Sequence, residues 1–291
     1  MTLGEFILAT LIYHDIFDYP LNLQEIRQFL VGKSASAKLV DQQLKKLIDK
    51  GKINSLDSYY FLRGRSKLVR IRTSRQKYSK QKMKKARFLA GILKFVPTLK
   101  LVAISGALAM ENSHKNDDID LVLVTAKKRL WTTRFLANFL LLPFKRSPSN
   151  KKFSNRACLN VFIDESNLQI APKNIYLAHE ICQMKPLWDR DGIYKRFIDA
   201  NKWVKNFLPN WQPGSWFMVH GSRKARLSTV NCQLSTVENL LRNFQLWYMR
   251  PKITTEKIGN TQLFFHPAKT GEWVIDEYYK RLKKLRLTLA S

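Results

Sequence analysis

VAISGALAMENSHKNDDIDLVLVT, residues Val102 to Thr125, sets a turn of small residues ahead of a carboxylate pair embedded in an apolar run. Asp118 and Asp120 flank one apolar residue, so the two-residue period of a strand puts both side chains on one face. The run continues as Leu121, Val122, Leu123 and Val124, residues that favour the inside of a sheet. An unpaired charge pair there is expensive, which points to a divalent metal or a function. The competing reading is a strand end whose aspartates are simply solvated.

At these residues the chain resembles the DNA polymerase β-like nucleotidyltransferase superfamily, whose signature is a Gly-Ser or Gly-Gly turn followed by Asp-x-Asp in a strand. Gly106 supplies the glycine and Asp118-Ile119-Asp120 the carboxylates. The likeness extends through LNVFIDESNL (159–168) and the stretch from Ile175 to Asn210 to a bacterial and archaeal group of unsettled substrate, covering about Leu99 to Pro209. It implies a mixed α/β nucleotidyltransferase fold (α+β) in which Ser105, Gly106 and Ala107 seat a nucleoside triphosphate and Asp118 and Asp120 hold Mg²⁺. The reaction implied moves a nucleoside monophosphate to a hydroxyl acceptor, with nucleic acid among the acceptors.

Two departures matter. Ala107 stands where the turn would carry serine, a loss that Ser105 partly replaces. The superfamily's third carboxylate falls on a later strand, and Cys158 to Ile163 puts Asn160 there, an amide that offers a carbonyl oxygen but cannot act as a base. Asp164 shares that face but lies about 13 Å along the strand. Either transfer runs on two carboxylates with water taking the acceptor's proton, or the site binds nucleotide without efficient transfer. The alternative function is a nucleic-acid-binding protein with a degenerate, nucleotide-sensing or scaffold core; a third is a transferase whose acceptor is a protein.

A length of 291 residues suggests about two domains, and 45% apolar residues suffice for folded cores. The formal charge of +29 and pI near 10.2 point to a polyanionic partner, nucleic acid first. A lysine-rich proteome whose surfaces all drift basic is the alternative. Cys158, Cys182 and Cys232 form no CxxC and no disulfide framework, so the setting implied is a reducing cytoplasm. The N-terminus carries early acids and no basic segment before its apolar residues, which argues against a signal peptide. Leu130 to Phe144, the most hydrophobic window, is shorter than the roughly 20 residues of a membrane span and reads as a helix covering the sheet.

Residues 1–64 read as a winged helix. Leu3, Phe6, Ile7, Leu11 and Ile12 mark an amphipathic first helix, and Asn22 with Glu25 starts a second by a capping box. A third from about Ser36 stops at Gly51, and a hairpin wing turns at Leu56-Asp57-Ser58. Its third helix would present Lys38, Gln42, Gln43, Lys45 and Lys46 to a major groove, unless the unit serves protein contacts instead. Residues 65–98 form a basic linking helix, part of a run from Arg63 to Lys100 with no acidic residue. There Arg70, Arg72, Arg75, Lys82, Lys84 and Lys85, with Lys77, Lys80 and Arg87, are the expected phosphate contacts for nucleic acid.

Residues 99–170 form the transferase core and 171–291 a helical C-terminal region. Trp188, Tyr194, Phe197, Trp203 and Phe207 are expected core anchors of a helical stretch from Ile175 to Leu208. His179-Glu180 and Asp189-Arg190-Asp191 read as structural, lacking metal-ligand spacing. A helix from Ser235 to Arg250 opens with a Ser235/Glu238 capping box and should bury Val237, Leu240, Leu241, Phe244 and Tyr248. Trp273 to Leu287 is amphipathic and basic. Gly32-Lys33-Ser34 is no P-loop, because Arg27 stands where that loop needs glycine. No GxSxG, GxGxxG or repeat is present.

Overall fold

The computed structural model of this α/β chain describes residues 1–145, 154–214, 233–250, 256–265 and 268–287. Cys232 lies outside the described residues. The first segment runs α1 (Leu3–Asp15), β1 (Leu21–Asn22), α2 (Leu23–Gln28), α3 (Ala37–Asp49), β2 (Ile53–Leu56) and β3 (Tyr59–Leu62), with an antiparallel sheet in the order β1-β3-β2. Local chemistry sets these boundaries. Asn22 and Glu25 form the reciprocal cap of α2. Gly51 ends α3 at φ +63°, where Lys52 N–H reaches the Leu47 carbonyl and Gly51 N–H that of Ile48, a Schellman arrangement. Asp57 and Ser58 both take positive φ, which suits the tight turn of a twisted hairpin.

The first helix departs from its expected one-sided character. Ile7 and Leu11 pack with α2 and α3, while Ala9, Ile12 and Tyr13 join the core formed by the second sheet. With both sides covered, α1 has no polar face for a pattern to reveal. The helix α4 (Lys67–Leu93) then crosses to the main sheet.

That sheet contains β4 (Leu99–Ile104), β5 (Ile119–Thr125), β6 (Ala157–Asp164), β7 (Lys185–Asp189), β8 (Lys257–Ile258) and β9 (Gln262–Phe264), in the order β7-β4-β5-β6-β9-β8. Only β5 and β6 pair in parallel. Alternate residues face opposite ways. Leu101, Ala103, Val122, Val124 and Ile163 meet α1, α7 (Ile175–Gln183), α8 (Ile193–Ala200) and α10 (Ala268–Lys284). Val102, Ile104, Leu121, Leu123 and Phe162 meet α4 and α6 (Leu130–Leu140). The expected helical stretch from Ile175 is thus interrupted by edge strand β7, where Trp188 is half-buried with the Arg190 guanidinium 4.8 Å above its ring. No helix among the described residues is long and apolar enough to cross a membrane.

The helix α9 (Gln233–Met249) reverses most of the expected packing. It is already running at Ser235, so Glu238 is free of a capping box and instead caps α6, accepting from Trp131 N–H (2.7 Å) and Thr132 N–H (2.9 Å). Gln245 follows onto the same partner, donating to the Trp131 carbonyl, so α9 packs these polar groups inward beside Leu241, Leu246 and Met249, and of the expected apolar face only Leu241 meets the core. Leu240 (65%) and Trp247 (70%) are left exposed, as are Val237, Phe244 and Tyr248. Glu238→Ala should therefore act on α6 and cost about 1–2 kcal/mol, as loss of a helix cap does. Urea unfolding measures it, and an unchanged midpoint would show that the cap carries no weight.

Candidate functional site

The turn after β4 closes on the first residues of β5. Ser105 N–H donates to the Asp120 carbonyl at 3.4 Å, and Gly106 takes φ +61° at the start of α5 (Gly106–Ala109). A β-carbon on Gly106 would lie 3.6 Å from Asp120 Oδ2, so this position needs glycine chiefly for its backbone conformation and brings the turn against the carboxylate. Ser105 itself is buried, whereas Ala107 is exposed.

Asp118 and Asp120 are half-buried, and each offers a ligand oxygen within 4.8 Å of the other and of Cys158 Sγ. Cys158 is the register partner of Asp120 on β6. A register shift follows, with Leu121 opposite Leu159 but Val122 opposite Val161. Asn160 falls in that irregularity and donates from Nδ2 to Asp120 Oδ1 at 2.9 Å, at 1% exposure. The expected third-position residue thus reaches the pair as a hydrogen-bond donor to it. Two carboxylates suit a hard divalent cation that keeps its other positions for water or phosphate oxygens, and the soft thiol adds little for such an ion. Asp164 is elsewhere, accepting from Lys128 N–H and Ser166 N–H at the far end of β6.

Lys82 is the largest change from the expected surface. It is 1% exposed, and its ammonium donates to the carbonyls of Lys115 (3.2 Å) and Asp117 and to Asn155 Oδ1. Burial pulls its pKa below the ordinary lysine value, and the carboxylates of Asp117 and Asp118 oppose that pull. A residue expected to grip phosphate instead braces the loop that carries Asp118.

Arg72 and Arg75 also turn inward. Arg72 pairs with Glu25 through both terminal nitrogens, at 2.8 and 2.6 Å, and Arg75 donates to the Phe17 carbonyl and Asn112 Oδ1. Arg70, Lys77, Lys80, Lys84, Lys85 and Arg87 remain exposed along α4.

No family model, no curated protein and no solved structure matches the chain. The site therefore rests on its own geometry.

One residue read from sequence as structural belongs to it. Glu180, on α7, accepts a hydrogen bond from Gly106 N–H, and it lines a cavity shared with Asp120. Burial pushes its pKa up to about 7. Tyr176, Glu180 and Gln183 line this cavity together, and their i, i+4, i+7 spacing was the signal: a polar stripe on a helix otherwise buried through Ile175, Ala178, Ile181 and Cys182. Its neighbour His179 is structural as expected, stacked on Tyr13 at 3.9 Å. Asp189 and Asp191 are structural too, the first accepting from Ile193 N–H and the second pairing with Lys100.

Proposed function

We propose that this chain is a Mg²⁺-dependent nucleotidyltransferase of the polymerase β-like kind with an N-terminal winged helix. The observation that carries the reading is the approach of the Gly106 turn to Asp120, with an Asp118 oxygen within 4.8 Å of it from the residue just before β5. The acceptor's hydroxyl oxygen bonds to the α-phosphorus of a nucleoside triphosphate. The bond from that phosphorus to the oxygen bridging to the β-phosphate breaks, pyrophosphate leaves, and the hydroxyl proton passes to water. Mg²⁺, when bound, would be held by Asp118 and Asp120 and supplies neutralisation of the phosphate charge. Around it the chain's own residues position: Lys82 fixes the loop before Asp118, and Asn160 orients Asp120. Ser105, Gly106 and Ala107 form the turn facing the triphosphate, and the exposed cations of α4 are the surface for nucleic acid.

Asn160 also favours a second reading. Its amide occupies an Asp120 oxygen and accepts no proton, which suits a nucleotide-sensing or scaffold core in a nucleic-acid-binding protein. Calorimetric titration of the four nucleoside triphosphates with Mg²⁺ into the full chain separates the two. We expect binding of at least one, abolished in the Asp118→Asn/Asp120→Asn variant. Absence of binding in the unaltered protein would sink the transferase reading and leave the nucleic-acid binder.

A further inference from the structure

The cavity beside Asp120 measures about 250 Å³ and reaches from Gly106 and Ala107 to the far end of α1. Tyr13, Phe17, Tyr19 and Tyr176 contribute aromatic walls, and Asp120 and Glu180 contribute carboxylates. Neither a lysine nor an arginine lines it, in a chain with 51 Lys+Arg against 22 Asp+Glu. His14, which also lines it, is held neutral at pH 7 because burial lowers its pKa to about 4, and its Nε2 is buried without a hydrogen-bond partner among the described residues. Glu180 keeps the Gly106 N–H but has no ion-pair partner among the described residues.

A half-buried carboxylate without a counter-charge, in a cavity lined by aromatic side chains, is complementary to a cation and repels phosphate. The volume is below the ~300 Å³ at which pockets for drug-sized ligands begin, which excludes a nucleic-acid strand or a folded peptide. We propose that this cavity is the acceptor subsite, and that the acceptor is a small compound carrying both an ammonium group and a hydroxyl. The acceptor role rests on the transferase reading. In it the ammonium sits among the aromatic walls near Glu180, and the hydroxyl lies towards Asp120. That hydroxyl oxygen forms the bond to the α-phosphorus, pyrophosphate leaves, and the proton goes to water. The winged-helix segment would then take part in substrate choice, because Tyr13, Phe17 and Tyr19 all precede α2.

The test uses choline and 3,3-dimethylbutan-1-ol, which share shape and hydroxyl but differ in charge, titrated calorimetrically into the full chain at about pH 8, above the pKa of about 7 so that Glu180 is ionised. Choline should bind at least tenfold more tightly than the neutral alcohol. Glu180→Gln, whose amide oxygen still accepts from Gly106 N–H, should erase that preference. Tyr176→Leu keeps both carboxylates and should weaken choline several-fold by removing a ring face. Equal binding of the two probes, a choline preference that survives Glu180→Gln, or no choline binding would each overturn the proposal. Triphosphate binding without a choline preference defeats the cavity proposal alone. A choline preference without triphosphate binding defeats the acceptor role together with the transferase reading.

Discussion

Arg72→Ala is expected to destabilise the protein by about 3–5 kcal/mol, the cost of breaking a buried ion pair from one side. The guanidinium is 3% exposed, grips both oxygens of Glu25, and lies 4.0 Å from the Tyr19 ring centroid and 4.6 Å from that of Tyr59. Its removal leaves Glu25 short of a partner while that carboxylate still caps α2. Thermal unfolding should fall by about 10 °C for a chain of this size. Arg72→Ala/Glu25→Gln should recover part of the loss, because the stranded charge is then gone. The contrast is Lys84→Ala/Lys85→Ala on the exposed side of the same helix, which should leave stability within about 0.5 kcal/mol. If α4 binds nucleic acid, that pair should reduce the salt slope of oligonucleotide binding by about one per lysine. A surface-like response at Arg72, with little loss of stability, would contradict the inward packing.

The difference between Arg72 and Lys84 marks where sequence reading stops. A lysine- and arginine-rich helix without acids shows that some face is basic, but not which cations turn inward, because their partners come from elsewhere: Glu25 for Arg72, and the carbonyls of Lys115 and Asp117 for Lys82. Features whose causes lie within a few residues were legible, including the Asn22/Glu25 cap, the Gly51 stop and the Asp57-Ser58 turn. So was the placement of Asp118 and Asp120 together, although Asp118 sits one residue before β5 and not within the strand as expected. Cys158 was not, because its position opposite Asp120 depends on the register of a parallel pair joined by a long crossover. Glu238 misled for a related reason. Its spacing from Ser235 satisfied a local rule, but the orphan N–H groups of α6 claimed the carboxylate. The outward apolar stripe of α9 follows from that same docking, since the face that holds Glu238 and Gln245, with Leu241 and Met249, turns inward and leaves Leu240, Phe244 and Trp247 outside.

Acid should destabilise the junction between α1 and the sheet, and two histidines set the sign. His14 lies against His179, Tyr13, Tyr19 and Phe29, donates from Nδ1 to the Thr10 carbonyl at 3.0 Å, and feels Glu25 and Arg72 as opposed charges. Burial lowers its pKa from 6.5 to about 4, and burial followed by the nearby His14 lowers that of His179 as well. The unfolded chain therefore binds protons before the folded one does. Stability is fully present above about pH 6.5 and is lost as the pH falls towards 4, by about 3 kcal/mol for His14 alone at about 1.4 kcal/mol per pH unit. Glu180 works in the opposite direction. With its pKa raised from 4.5 to about 7, its contribution is full below 4.5 and is lost as the pH rises through 7. Over the shared window it offsets His14, and His179 tips the balance towards loss in acid. Urea midpoints measured from pH 7 to pH 4 should decline in the native sequence, decline more steeply in Glu180→Gln, and flatten in His14→Phe. If Glu180→Gln were to flatten the profile, the carboxylate would be ionised in the folded state and the assigned sign at Glu180 would be wrong. If His14→Phe left the slope unchanged, the acid limb would belong to groups elsewhere, and the neutral imidazole between α1 and α7 would have no part in it.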